Sequence, residues 1–173
     1  GSILAVGVIG DDGEGYDLRK GLDKLGVDRT YLIESPDRFT PTYTKPMLQL
    51  EEGEDEMNRQ DIKNRLPLSE ELENRVLANL DEAVQKSDGV AVLDQVQERN
   101  CGVITDRVRE RLADLADRYS DKFLFVDSRV RIGDFRRVII KPNRYEAAAA
   151  AGMGDDPSVE EAREAARILS QRT

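Results

Sequence analysis

Residues 89–126 read GVAVLDQVQERNCGVITDRVRERLADLADRYSDKFLFV, and this stretch decides the fold class. A short apolar run, Gly89 to Leu93, precedes a segment of helical length, Thr105 to Tyr119, and a second apolar run follows from Phe123 to Val126. Short unbroken apolar runs are the mark of strands buried in a sheet, and a helix between two of them is the crossover that parallel pairing requires.

The same alternation extends outward. Upstream, the run Ile3 to Ile9 stops at Gly10-Asp11-Asp12, and a helix is expected from about Glu14 to Leu25, with Leu18, Leu22 and Leu25 at helical spacing and Gly26 as its terminator. Thr30 to Ile33 is a further short strand, and Ser69 before Glu70, Glu71 and Leu72 opens a helix to about Val84. Downstream, Val138 to Ile140 is predicted as a strand, with helices over Arg144 to Ala151 and Ser158 to Ser170. The class is α/β, a mostly parallel sheet covered on both faces. Two stretches depart from the pattern. Thr40 to Leu50 holds β-formers interrupted by Pro41 and Pro46, which predicts exposed edge strands, and Glu51 to Arg65 is dominated by charge and is expected as a connector or mobile flap.

At 173 residues the chain fits one domain with a single core. A net charge of −9 opposes duplex nucleic acid or an anionic membrane as the main partner. A single cysteine, Cys101, forbids an internal disulfide and fits a reducing, cytoplasmic compartment. The sequence contains no histidine, which removes Ser-His-Asp and Cys-His catalysis and histidine-containing metal sites. No apolar run approaches the roughly 18 residues a spanning helix needs.

Ligands of open parallel sheets collect beyond the carboxyl ends of the strands. Four places qualify: Gly10-Asp11-Asp12-Gly13, Asp94-Gln95, Asp127-Ser128-Arg129, and Lys141-Pro142-Asn143 with Glu146. The first has the glycines of a phosphate loop, but Asp11, Asp12 and Glu14 would repel the anion, so a tight βα turn is the better account. Asp94 and Asp127 could orient substrate hydroxyls or a metal, although for either alone a cap or turn is the simpler account. Lys141 could meet phosphate oxygens. Asn143 and Glu146 stand one helical turn apart, which suits either water-coordinated magnesium or a capping box.

The order of segments resembles the ribokinase family, the phosphofructokinase-B carbohydrate kinases, over nearly the whole chain. Val8-Ile9-Gly10-Asp11-Asp12 with Gly15 is similar to the family's VGxxGxDxxG segment, and Leu22 to Val27 to its continuation. Thr40 to Leu50 resembles the substrate lid, and Lys141-Pro142-Asn143 with Glu146 matches KPNxxE. Asn58-Arg59-Gln60-Asp61 and Asp94-Gln95 are similar in place to segments of kinases acting on heptose phosphate.

The resemblance implies a three-layer α-β-α fold across residues 1–173, with residues 39–65 as a small β lid and connector. It implies ATP and Mg2+, with Lys141, Asn143 and Glu146 on the nucleotide, Asn143 and Glu146 on the metal, and Thr42, Thr44, Lys45, Asp94 and Gln95 on the sugar side. The reaction implied is transfer of the γ-phosphoryl group of ATP to a sugar or sugar-phosphate hydroxyl. The family's GGxxxN motif is expected before residue 3 and its GAGD motif, with the catalytic base, beyond Thr173, so these residues by themselves are expected to be incomplete at both ends and inactive. Self-association is expected. The alternatives are a non-catalytic kinase-like module that dimerises through its lid strands, and an unrelated α/β domain that binds a small molecule.

Overall fold

The computed structural model describes residues 1–172. The chain divides into two compact units, Gly1–Arg65 and Leu66–Thr173.

In the first unit, β1 (Leu4–Gly10), α1 (Gly13–Lys24) and β2 (Asp28–Ser35) form a β-α-β crossover. The two strands pair in parallel, from Val6 opposite Tyr31 to Gly10 opposite Ser35. Period-two alternation on β2 buries Tyr31, Ile33 and Ser35. The turn into α1 is filled by the chain's own carboxylate. Asp12 is the N-cap, accepting from Gly15 N–H at 2.7 Å, from Thr40 N–H at 2.8 Å and from the Thr40 hydroxyl at 2.7 Å. That hydroxyl accepts in turn from Gly10 N–H at 2.8 Å. A Cβ on Gly15 would lie 2.3 Å from the Gly10 carbonyl oxygen, so glycine is required here by close approach. Burial pushes the Asp12 pKa upward, but the hydrogen bonds from Thr40 and Gly15, with the charge of Arg19, outweigh it and hold the carboxyl below its ordinary value. The tight-turn reading of this loop is therefore the geometry found.

Gly26 terminates α1 as expected, at φ 69°. The apolar stripe is less buried than its spacing suggests. Leu25 is 77% exposed and Leu18 41%, because the helix meets the strands through Gly15 and a half-buried Leu22.

The charged stretch from Glu51 to Arg65 contains two strands. β3 (Thr42–Thr44) pairs antiparallel with β6 (Gln60–Ile62), and β4 (Met47–Leu50) with β5 (Gly53–Glu56). Every residue of β4, β5 and β6 is exposed. With neither face buried, the ladders rest on backbone pairing and leave no hydrophobic period to read.

In the second unit, β7 (Gly89–Asp94), β8 (Phe123–Ser128) and β9 (Ile139–Ile140) form a parallel sheet in the order β7-β8-β9. One face is buried through Val92, Leu124 and Val126, with α3 (Asp106–Arg118) packed against β8. α2 (Glu70–Lys86) lies beside α3 and buries Leu72, Val76, Leu77, Leu80, Ala83 and Val84, a stripe at helical spacing. Ser69 and Thr105 cap these helices by accepting from Leu72 N–H and Val108 N–H. α4 (Arg144–Ala151) packs on α5 (Val159–Ser170) through Ala147, Ala165 and Leu169, where small side chains let the helices approach closely.

Leu112 and Leu115 of α3 are almost fully enclosed, at 1% and 0% exposure. Leu112→Ala is expected to lower the unfolding free energy by roughly 2–5 kcal/mol. Urea denaturation measures this, and a loss below about 1 kcal/mol would mean that the α3 face is not the packed core of this unit.

Candidate functional site

The carboxyl ends of β7, β8 and β9 lie side by side, and they are held in register by backbone bonds that continue the ladders. Arg129 N–H donates to the Asp94 carbonyl at 2.9 Å, and Lys141 N–H donates to the Val126 carbonyl at 2.9 Å. Three of the four places singled out by the sequence, around Asp94, Asp127 and Lys141, therefore meet along one sheet edge. Thr42, Thr44 and Lys45 belong to the first unit, on and just after β3. Lys45 pairs there with Glu56 at 3.1 Å, while Arg59 and Lys63 lie over the Tyr43 ring at 5.1 and 5.9 Å.

The two aspartates have different environments. Asp94 is 4% exposed, on the face that the helices cover. Its Oδ2 accepts the Ser128 hydroxyl at 2.8 Å and lies 3.9 Å from Arg109 Nη1. Burial raises its pKa, against the opposing pull of the Ser128 hydrogen bond and of Arg109 and Arg131. Asp94 caps no helix; α3 is capped by Thr105. Its carboxylate orders the strand ends from below, and its neighbour Gln95 is the exposed member of the pair. Asp127 falls on the opposite face and pairs with Lys141 at 3.1 Å.

Ser128 carries the arrangement further, since its hydroxyl oxygen also accepts from Arg131 N–H at 3.1 Å. The Arg131 guanidinium reaches back to the carbonyls of Val96, at 3.1 Å, and Gln97. The loop after β8 is thereby tied to the loop after β7. Beneath them, Arg109, 5% exposed, donates to the Ile104 carbonyl at 3.0 Å and to the Asp106 carboxylate. Asn100, at φ 61°, closes the β7 loop by accepting from Asp106 N–H at 2.9 Å and donating to its carboxylate at 3.0 Å. Sequence reading did not assign roles to Ser128, Arg131 or Arg109. The one available signal was alternation along β8, which puts Ser128 on the same face as Leu124 and Val126.

Lys141 is half exposed and follows β9 directly. Asn143 and Glu146 form a complete capping box on α4: Asn143 Oδ1 accepts from Tyr145 N–H and Glu146 N–H, both at 2.9 Å, and Glu146 Oε2 accepts from Asn143 N–H at 2.8 Å. The capping alternative is thus realised. It does not exhaust the glutamate, because only Oε2 is engaged in the cap. No group of three or more acidic, cysteine or histidine side chains that could hold a metal by itself occurs among the described residues.

The pfkB family carbohydrate kinase model matches residues 1–173. The chain belongs to this family. It is 29% identical over 169 residues to the bifunctional protein HldE of Wolinella succinogenes, covering 94% of this chain and 33% of that protein. It is 28% identical over 152 residues to the HldE of Trichlorobacter lovleyi, covering 87% of this chain and 29% of that one. Among solved structures, the ribokinase of Giardia lamblia superposes with a TM-score of 0.64 at 15% identity, over 98% of this chain and 49% of its own. The fold is ribokinase-like, and the chain spans about a third of the curated relatives and about half of the ribokinase. No helix among the described residues is long and apolar enough to cross a membrane.

The Asp106 cluster has a pH signature. Hydrogen bonds from Arg99, first among the causes, and from Asn100 and Arg109 hold its carboxyl at about 2, against the opposing effect of burial. A depressed carboxylate pKa stabilises the fold above the unfolded value of 3.8, and that stability is lost as pH falls toward about 2. Asp106→Asn is therefore expected to destabilise the chain at pH 7 and to converge on wild type between pH 4 and about pH 2. Urea midpoints across that range test this; a gap that does not narrow would remove Asp106 ionisation from the account.

Proposed function

We propose that this chain is the nucleotide-facing portion of a kinase that transfers the γ-phosphoryl group of ATP to a hydroxyl of a sugar or sugar phosphate. The observation that carries the reading is the alignment of Lys141, with the Asn143–Glu146 pair one turn beyond it, at the shared carboxyl edge of β7, β8 and β9. Phosphoryl transfer depends chiefly on positioning and charge stabilisation, which is what such an edge can supply.

In this reading Lys141 exchanges its Asp127 partner for phosphate oxygens. Glu146, with one oxygen outside the cap, would help hold Mg2+, a cation that keeps most of its waters and uses few protein carboxylates. The bound Mg2+ would offset the negative charge of the phosphates. Asn143 keeps Glu146 in place through the cap. Gln95 faces the sugar side, and Asp94 supports it from beneath through Ser128 and Arg131. Thr42, Thr44 and Lys45 supply polar groups of a lid. Heptose phosphate as the acceptor is supported by the resemblance of the Asp94-Gln95 and Asn58 to Asp61 segments to those of kinases acting on heptose phosphate.

Titration of the chain with a non-hydrolysable ATP analogue, with and without Mg2+, tests the reading. Mg2+-dependent binding is expected, weakened about tenfold by Lys141→Ala and by Glu146→Ala. The control is Glu161→Ala in α5, which removes the equivalent member of a second complete capping box, Ser158 with Glu161, away from the sheet edge. It should cost stability alone. Equal weakening by Glu161→Ala, or no binding by wild type, would overturn the nucleotide assignment.

A second reading, association of two copies through the β3 to β6 strands, is favoured by one observation. Met47, Leu48 and Leu50 of β4 are 50%, 48% and 47% exposed, so the strand presents apolar side chains on both of its faces. Sedimentation over a concentration series is expected to show a dimer that Leu48→Glu weakens; a monomer at every concentration would remove this reading.

A further inference from the structure

We infer that Arg129 is a phosphate-binding residue at the carboxyl edge of β7, β8 and β9, and that its ligand is a phosphate ester or polyphosphate. The inference rests on the kinase reading above and adds a contact that the Lys141, Asn143 and Glu146 pattern does not contain.

The argument is a comparison of the cations that follow β8. Arg131 is engaged by the carbonyls of Val96 and Gln97. Arg137 pairs with Asp117. Arg136 lines a recess with Arg99, Arg109, Asp106, Glu110 and Asp134, where carboxylates match the arginines in number and leave no net positive charge for an incoming anion. Arg129 is exposed, and its guanidinium enters no hydrogen bond or ion pair among the described residues. Its backbone is nevertheless fixed, by the donation from its N–H to the Asp94 carbonyl at 2.9 Å. A pinned Cα with an uncommitted guanidinium is what a ligand contact requires, because binding then displaces no internal partner.

Position and charge agree with this. Arg129 directly follows β8 and its N–H bonds to the last residue of β7, so it stands at the same strand end as Asp127, two residues before it, and the Lys141 that pairs with Asp127. Lys141 and Asp127 neutralise one another at 3.1 Å, so in the free protein the net positive charge of this trio resides on Arg129. A phosphate approaching the edge meets that charge first. The planar fork of a guanidinium matches two phosphate oxygens at once, which the lysine ammonium cannot do. The carboxyl edge of a parallel sheet is also where such ligands collect.

The phosphate could belong to the nucleotide or to a phosphorylated sugar, and calorimetric titration of the full chain separates the two. The probes are ADP, adenosine, inorganic pyrophosphate and a hexose 6-phosphate, against wild type, Arg129→Ala, Arg129→Lys and Lys141→Ala. Arg129→Ala is expected to weaken pyrophosphate and at least one of ADP and the hexose phosphate about tenfold, with Arg129→Lys recovering part of the loss and adenosine unchanged. Loss confined to ADP assigns the nucleotide phosphates, and loss confined to the hexose phosphate assigns the sugar's. An unchanged urea midpoint in Arg129→Ala would exclude a structural cause. If Arg129→Ala binds every phosphate probe as wild type does while Lys141→Ala loses ADP, the inference fails and the nucleotide reading survives. If wild type binds pyrophosphate through Arg129 but does not bind ADP, the inference stands and the nucleotide reading fails. Wild type binding no phosphate probe overturns both.

Discussion

A carboxylate without water is costly to keep at a strand end, and the second unit is arranged around satisfying one. Asp94 is enclosed on the helix-covered face, where an unpaired ion would be strongly disfavoured. The Ser128 hydroxyl donates to it and Arg109 stands beside it, which ties the end of β7 to that of β8. Ser128 also receives the Arg131 amide, and the Arg131 side chain draws in the loop that follows β7. Four polar residues thus convert two adjacent strand ends into one fixed edge. Every group proposed to meet phosphate or its Mg2+, Arg129, Lys141 and the capped Glu146, takes its position from that edge or from the strand beside it.

The two capping boxes show why local chemistry does not by itself confer a role. Asn143 with Glu146 and Ser158 with Glu161 make the same reciprocal pair of bonds, each satisfying amides that a helix start leaves without partners. The first follows β9 within a few residues, so its glutamate stands beside the sheet edge. The second begins a helix packed on α4 and serves that packing. The same motif is a cap in one place and a cap with a spare oxygen at a candidate ligand edge in the other. In the first unit the contrast is between chemistry and sterics. The glycine-rich turn after β1 looks like an anion cradle in composition, yet Asp12 already occupies it and accepts the amide a phosphate would need.

Much of the fold was legible along the chain. Apolar runs marked β1, β2, β7, β8 and β9, and helix starts were evident at Ser69, Thr105, Asn143 and Ser158, because burial on a sheet and satisfaction of helix amides both act through neighbouring residues. The strands at Gly53–Glu56 and Gln60–Ile62 were missed, since a ladder exposed on both faces imposes no hydrophobic period. The exposure of Leu18 and Leu25 was missed for the converse reason: spacing shows that a stripe exists, not that anything lies against it.

By itself, then, the sequence determined the succession of parallel strands and helices, the family, and the Lys141-Pro142-Asn143 and Glu146 pattern, all of which are written in residues near one another in the chain. Tertiary structure alone decided that Asp94 is buried while Gln95 is exposed, that Lys141 is paired with Asp127, and that Arg131 is committed to backbone carbonyls while Arg129 is not. Those outcomes depend on which strands pair and in what register. A shift of one residue would move each of these side chains to the other face, and no property of the side chain itself records that choice.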